Sequence, residues 1–235
     1  MKQRTKYAVN DEYAVNEECP VNEDRRPRAG FTMIEIMIVV FISVVLVGIT
    51  VPLYSTITAT LRASGDLRDL SGLTAQAKMR AASDFTHARV YADLSGNTFQ
   101  LEVWNKTGSC WVAYSDPTNT CLTNTGSAPG GTVNNLAAGD TFGFGSLSTP
   151  PTVGQTTVGQ AGQCQDKNGS AISNTACILF NSRGIPIDPT TLAPRGDDAL
   201  YITNGTVVNG VTVAATGSIQ TWTSGTASGS TWSAQ

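Results

Sequence analysis

Residues 30–51, GFTMIEIMIVVFISVVLVGITV, decide the fold of this chain. From Phe31 to Val51 there are 21 residues, and Glu35 is the only charged one among them. A helix of this length spans about 31 Å at ~1.5 Å per residue, which matches the hydrocarbon core of a bilayer. An ionisable side chain inside such a segment is costly and usually has a partner. Glu35 therefore indicates more than a simple anchor.

A secretory signal peptide and a plain signal-anchor helix are two simpler kinds of apolar segment. A secretory signal peptide has an apolar core of roughly 7–15 residues and ends in a small-residue cleavage site, whereas this run is longer and is followed by VPLYSTI at 51–57. A plain signal-anchor helix accounts for everything except Glu35.

Arg25, Arg26 and Arg28 precede the run. Because cytoplasmic flanks are rich in Lys and Arg, they predict a cytoplasmic N-terminus and a translocated C-terminal bulk.

The composition argues against several classes of function. The 235 residues carry 15 Lys and Arg against 18 Asp and Glu, a net charge of −3, so the whole chain shows no nucleic-acid footprint. The sequence contains no P-loop, no G-x-S-x-G and no H-E-x-x-H motif, and His87 is its single histidine. We therefore expect no enzyme activity and no cofactor.

The five cysteines lie on both sides of the apolar run. Cys19 precedes it, and the four that follow form two close pairs, which indicates two disulfides in an oxidising compartment. Four cysteines allow three connectivities, and the neighbouring pairs are favoured; these are Cys110 with Cys121 and Cys164 with Cys177. A zinc site is the alternative, but neither pair has the short spacing typical of zinc ligands.

The residues after the run predict a helix and then strands. Apolar residues recur at helical spacing to about residue 83; they are Leu53, Ile57, Leu61, Leu67, Leu70, Leu73, Ala77 and Ala81. Beyond them, short β-prone segments alternate with turn formers. In one such segment Phe99, Leu101 and Val103 share a face, and Asn204-Gly205 and Asn209-Gly210 are hairpin-type turn signals. Residues 116–175 predict long loops, and the last residues predict a flexible tail.

The stretch GFTMIE resembles the prepilin motif of type IV pilins and type II secretion pseudopilins. The resemblance implies that residues 1–30 are a leader, which prepilin peptidase removes by cutting between Gly30 and Phe31. Phe31 then becomes an N-methylated N-terminus, and Glu35 becomes the fifth mature residue, which pairs with the N-terminal amine of a neighbouring subunit. Pro52 takes the place of a proline that commonly bends the pilin helix. A Glu35 side chain that merely reaches the membrane interface remains the alternative.

Two further stretches are similar to the GspH/FimT group of minor pseudopilins. They are LTAQAKMRAASDFTHARVYAD at 73–93 and CILFNSRGIPIDPTT at 177–191, the latter followed by the strands up to Trp222. The residues that carry the similarity are Phe180, Gly184 and Gly217. The resemblance implies an α+β, pilin-like fold in which a long N-terminal transmembrane helix packs on a C-terminal antiparallel sheet head. The expected segments are a leader (1–30), a membrane helix (31–53), a periplasmic helix (54–83) and the head (84–235).

These observations predict a structural minor pseudopilin or pilin subunit. The chain would sit in the bacterial inner membrane with its head in the periplasm, and other pilins or pseudopilins would join it in a filament of a type II secretion system or type IV pilus. A DNA-binding minor pilin for natural transformation is the alternative, but no basic residue follows Arg195, so DNA is not the expected partner. Major pseudopilins hold calcium near the C-terminus; here Asp188, Asp197 and Asp198 are interpreted as solvated turn residues, and no metal is expected.

Overall fold

The computed structural model describes residues 30–122, 132–151, 155–226 and 231–235. The predicted leader, with Cys19 and the three arginines at 25, 26 and 28, lies outside the described residues. By its contacts the chain divides after Gly48 into two units, and the second unit runs from Ile49 to Gln235.

A single helix, α1, runs from Met33 to Ser83 and passes through position 52, so the predicted kink at Pro52 stays a prediction. The helix ends where its apolar periodicity stops. Phe85 adopts a left-handed φ of 50°, and the Thr86 N–H donates to the carbonyl of Ala81 at 3.1 Å. This is the hydrogen bond of a Schellman-type helix end, which is usually built around glycine.

In the described ranges the strands form two antiparallel sheets. The first contains β1 (Ala88–Asp93), β2 (Thr98–Asn105), β3 (Cys110–Ala113), β4 (Asn134–Asn135), β6 (Thr175–Phe180) and β7 (Pro186–Ile187). The second contains β5 (Thr141–Phe142), β8 (Asp197–Thr203), β9 (Val207–Ala214), β10 (Ile219–Gly225) and β11 (Ser233–Ala234). The strand orders are β3-β2-β1-β6-β7, with β4 beside β2, and β11-β10-β9-β8-β5. The predicted α+β class, an apolar helix followed by antiparallel sheets, is confirmed.

One core joins the outer part of α1 to both sheets. Leu67, Leu70, Ala77 and Ala81 of the helix belong to the same buried cluster as residues from each sheet. In the first sheet, Val90 pairs with Leu101 on one side and with Ile178 on the other, so one row of side chains faces this core. Phe99, Leu101 and Val103 all pack into it, as their alternation predicted.

The predicted helical stripe is buried only over its second half. Ile57 is 50 % exposed and Leu61 is 66 % exposed, while Leu67 is 3 % exposed. Periodicity reports which residues share a helix face, but it does not report where along the helix the sheets begin to cover that face. The apolar surface of the helix therefore extends beyond the membrane-length segment.

The prediction of a turn at Asn209-Gly210 is wrong, because both residues lie within β9. A Cβ atom on Gly210 would lie 2.6 Å from two ring carbons of Tyr201, its partner on β8, so glycine is present there to admit the ring. The Asn209 side chain accepts a hydrogen bond from the Thr223 hydroxyl at 2.7 Å. Asn204-Gly205 does form the β8–β9 turn, with φ at Gly205 of 85°.

The chain end also differs from the predicted flexible tail. Ser233 and Ala234 pair with Thr223 and Trp222 of β10. The indole of Trp232 lies 5.5 Å from the ring of Tyr201, centroid to centroid, and its N–H donates to the carbonyl of Thr149. Trp232 and the pairing with β10 together fix this segment, although the surrounding composition is typical of a disordered tail.

Candidate functional site: the N-terminal segment and the head junction

The residues at the predicted cleavage point are open to solvent. Gly30, Phe31 and Thr32 precede the first helical residue and are all exposed, and the Phe31 side chain is 77 % exposed. Apart from its two chain neighbours, no described residue has a heavy atom within 4 Å of the position that a Cβ on Gly30 would occupy. The Gly30–Phe31 peptide bond is therefore accessible and is not held in the helix.

Thr32 caps the helix, and Glu35 takes part in the cap. The backbone N–H of Glu35 donates to the Thr32 hydroxyl at 3.3 Å and to the Thr32 carbonyl at 3.0 Å. Thr-x-x-Glu is the capping-box pattern, and an acidic residue in the first turn also interacts favourably with the helix dipole. Sequence reasoning missed this local role of Glu35, although the pattern T-M-I-E could have revealed it.

The helix that follows presents an apolar surface. Met33–Thr50 has a mean hydropathy of 2.7 and is long and apolar enough to cross a membrane. Within the described chain none of this segment is buried, and its large apolar side chains are between 45 % and 83 % exposed. In water such a surface would be unstable, so it requires lipid or other helices.

Residues 25–51 match the family described as the prokaryotic N-terminal methylation motif. The chain carries this motif at its N-terminus. The match spans the predicted cleavage point, the cap and the apolar helix, and it confirms the methylation motif on which the sequence prediction rests. The motif implies processing by prepilin peptidase and assembly with other pseudopilins.

Solved structures of a minor pseudopilin also resemble this chain, at low similarity. A crystal structure of the minor pseudopilin EpsH from the type II secretion system of Vibrio cholerae is 12 % identical, with a TM-score of 0.39 over 68 % of this chain and 92 % of that one. A second EpsH structure is 9 % identical, with a TM-score of 0.31 over 74 % and 96 % of the two chains. At these values the likeness assigns no role to any residue. No curated protein matches the sequence.

The fold brings together the two glycines that carry the GspH/FimT similarity. Gly184 and Gly217 both adopt left-handed φ angles, of 71° and 77°. A Cβ on Gly217 would lie 2.7 Å from the carbonyl oxygen of Gly184 and 3.2 Å from Nζ of Lys78. Lys78 of α1 donates to the Gly217 carbonyl at 2.9 Å. The helix, the β6–β7 turn and the β9–β10 turn therefore meet at one point, while Phe180 is fully buried in the core.

Two disulfides hold the loops around the first sheet. They join Cys110 to Cys121 and Cys164 to Cys177, the pairs that the sequence favours. Cys177 lies on β6, so its bond holds the 164 loop against the sheet, where Tyr91 packs beside both sulfurs. On the chain-entropy model, closing loops this short stabilises the fold by roughly 3 kcal/mol each.

The expectation that the three C-terminal aspartates are solvated is wrong for Asp198. Its side chain is fully buried, and neither carboxylate oxygen has a hydrogen-bond partner among the described residues. Arg195 lies between the three acids: it binds Asp188 at 2.9 Å, contacts Asp197 and lies 3.5 Å from Asp198. Burial raises the pKa of Asp198 to about 7 even though Arg195 opposes the shift. The centre of this cluster is occupied by a guanidinium.

Asp198 should make the stability of the head depend on pH. Its folded pKa lies above the unfolded value of about 3.9, so the folded state holds the proton more tightly. The resulting stabilisation is fully present below pH 4 and is lost as the pH rises to about 7. We expect Asp198→Asn to unfold at a denaturant midpoint that changes much less between pH 4.5 and 7.5 than that of the parent chain.

Urea unfolding at several pH values checks this expectation, with Asp69→Asn on the exposed face of α1 as the control for net charge. Equal pH dependence in the Asp198→Asn variant and the parent would contradict it.

A pair of buried carboxyl groups lies where α1 contacts the loop after β4. Asp66 and Asp140 are both buried, and Asp66 accepts a hydrogen bond from the Ala137 N–H at 2.8 Å. Burial, together with the neighbouring Asp66 carboxyl, raises the pKa of Asp140 to about 6. The sequence pattern did not predict this pair, because the two residues are far apart along the chain.

Proposed function

We propose that the chain is a minor pseudopilin or pilin subunit that is cut between Gly30 and Phe31 and methylated at the new N-terminus. The accessible Gly30–Phe31 bond, at the start of an apolar helix and inside the matched methylation motif, is the observation that carries this proposal. A peptidase must bind its substrate in a non-helical conformation, and this segment already has one.

The mature chain is held in the inner membrane of a bacterium by the apolar part of α1. Arg25, Arg26 and Arg28 support a cytoplasmic N-terminus, and the two disulfides support a head in the oxidising periplasm. Assembly then moves the helix from lipid into the centre of a filament of a type II secretion system or type IV pilus. The exposed apolar side chains that extend to Leu61 provide the surface for this packing.

In the filament, Glu35 pairs with the cationic amine of Phe31 on a neighbouring subunit. A carboxylate alone in an apolar medium is strongly disfavoured, whereas an amine at the same depth offsets the loss of hydration. Glu35 forms no ion pair within the described residues, so its carboxylate is available for such a partner.

The mass of the N-terminal peptide tests the proposed processing. Protein is isolated from membranes of strains with and without prepilin peptidase and digested. We expect a peptide that starts at Phe31 and is one methyl group heavier than the unmodified form, only when the peptidase is present. A chain that keeps residues 1–30 in both strains would overturn the proposal.

No observation on the head favours the DNA-binding alternative. The whole chain is negatively charged, and of the basic residues in the C-terminal third, Arg195 is engaged by aspartates. Neutralising a phosphate backbone requires several free cations along a groove. We therefore assign the head to protein contacts.

A further inference from the structure

A cavity of about 270 Å³ opens on the face of the first sheet that points away from the core. Its exposed surface is mostly apolar, and the large apolar residues that line it come from three parts of the chain. Trp104 and Trp111 lie on neighbouring strands with their rings edge to face at 5.2 Å, Leu179 lies on β6, and Pro189 and Leu192 come from the loop after β7.

A buried arginine lies among these walls. Arg89 is only 4 % exposed, and its Nε donates to Glu102 at 2.6 Å. One terminal nitrogen donates to the carbonyl of Gln165 at 2.5 Å, and the guanidinium lies 3.9 Å from the ring centre of Trp111. Three contacts thus fix the orientation of the group. A guanidinium has five N–H donors, so donors remain for an acceptor that enters the cavity.

The rim of the cavity carries a further cation. Lys167 lines it and is exposed. His87 also lines it, but burial and the nearby charge of Lys106 lower the pKa of His87, so this imidazole adds little positive charge at pH 7. The carboxylate of Asp166 accepts hydrogen bonds from the N–H groups of Asn168 and Ser170 within its own turn.

The exposed wall of the cavity is held in a strained conformation. Leu192 is 53 % exposed and has a left-handed φ of 55°, a backbone conformation that is unfavourable for a residue with a side chain. Its loop is tied by hydrogen bonds from the N–H groups of Thr190 and Thr191 to Asp188, which Arg195 also binds. The loop therefore places an apolar side chain at the mouth of the cavity rather than burying it.

We propose that this cavity binds an acidic peptide segment of a partner protein, which inserts one aromatic or leucine side chain between Trp104 and Leu192. The flanking carboxylates of the segment meet Arg89 and Lys167. Trp104 also lines a second, more open groove of about 520 Å³ with Asn105 and Lys106, so an extended segment can continue past the indole. This inference rests on the head alone and is independent of filament assembly.

The dimensions and the aromatic surface favour a peptide over single-stranded DNA. The cavity lies just below the roughly 300–1,000 Å³ typical of drug-sized ligands, and it therefore admits a side chain more readily than a nucleotide. Base stacking needs open aromatic faces along a groove. Here Arg89 covers a face of Trp111, which is 8 % exposed.

Calorimetric titration of the full-length chain in dodecyl maltoside micelles tests the proposal. The probes are acetylated, amidated pentapeptides with Phe, Trp, Tyr or Leu between two pairs of glutamates. Matched probes carry glutamine in place of glutamate or alanine at the centre, and a thymidine decanucleotide tests the nucleic-acid alternative. We expect at least one glutamate peptide to bind about tenfold more tightly than both of its matched probes.

Two variants locate the binding. Leu192→Asn removes the apolar wall but keeps a residue that tolerates the left-handed conformation, and Lys167→Glu reverses a rim charge. Each should weaken binding of the glutamate peptide by about tenfold or more, while Arg183→Glu, on the exposed β6–β7 turn, should not. Thermal unfolding checks that all three variants fold. Absence of binding by every glutamate peptide, equal binding by the Leu192 and Lys167 variants, or preferential binding of the oligonucleotide would each overturn the proposal.

Discussion

Glu35→Gln should be cleaved and methylated like the parent chain but should fail to enter filaments. The expected loss is about 100-fold or more in filament-associated protein, because removing one member of a buried ion pair costs about 3–5 kcal/mol. The carboxylate that would meet the amine of Phe31 is then absent, and the amine is left in apolar surroundings without a partner.

This substitution separates two roles of Glu35. Its backbone N–H is part of the helix cap with Thr32, and glutamine fits the capping-box pattern as well as glutamate does. If Glu35 served only the cap, the glutamine variant would assemble normally. Thr32→Ala supplies the matched control, since it removes the capping hydroxyl and keeps the carboxylate.

The measurement is the amount of each variant in sheared filaments, compared with the amount of mature protein in the membrane. We expect Thr32→Ala to lower assembly only slightly, because a lost cap costs about 1 kcal/mol. Normal assembly of Glu35→Gln would contradict the ion-pair role.

Gly217→Ala should destabilise the head by about 3 kcal/mol or more. Position 217 has φ of 77°, which costs about 1–2 kcal/mol for a residue with a Cβ atom. In addition, the new methyl group would lie 2.7 Å from the backbone oxygen of Gly184. Overpacking of this kind typically adds about 1–3 kcal/mol, and it would disturb the hydrogen bond from Lys78 to the Gly217 carbonyl.

Gly205→Ala is the matched control for the backbone effect. Gly205 has φ of 85° but nothing within 4 Å of its Cβ position, so this variant bears the conformational cost without a steric clash. The effect of alanine on the unfolded chain is common to both variants. Urea unfolding followed by tryptophan fluorescence should therefore give a difference of about 2 kcal/mol between them, and equal destabilisation would show that the junction at Gly184 tolerates a methyl group.

The sequence predicted those parts of the fold that depend on local order. The apolar run predicted a helix, and the alternation of Phe99, Leu101 and Val103 predicted a strand and the face of it that is buried. Spacing also favoured the disulfide pairs that the structure contains. In each case the physical cause acts between residues that are near one another along the chain.

Other features could not be predicted, because they depend on which distant segments meet. Asn209-Gly210 looks like a turn signal, yet glycine is there to admit the ring of Tyr201 on β8. Asp198 looks solvated, but the second sheet buries it beside Arg195. The helical spacing of apolar residues on α1 did not predict that Ile57 and Leu61 would be exposed.

By itself, the sequence of residues 25–51 determined the methylation motif and the apolar helix of membrane-spanning length, since both depend on one contiguous segment. Only the tertiary structure placed Gly184 and Gly217 against Lys78, and only it assembled Arg89, Trp104 and Leu192 around one cavity. These sites are built from α1, β1, β2 and loops far apart along the chain, and the packing of helix and sheets fixes their distances. Local sequence carries no information on such distances.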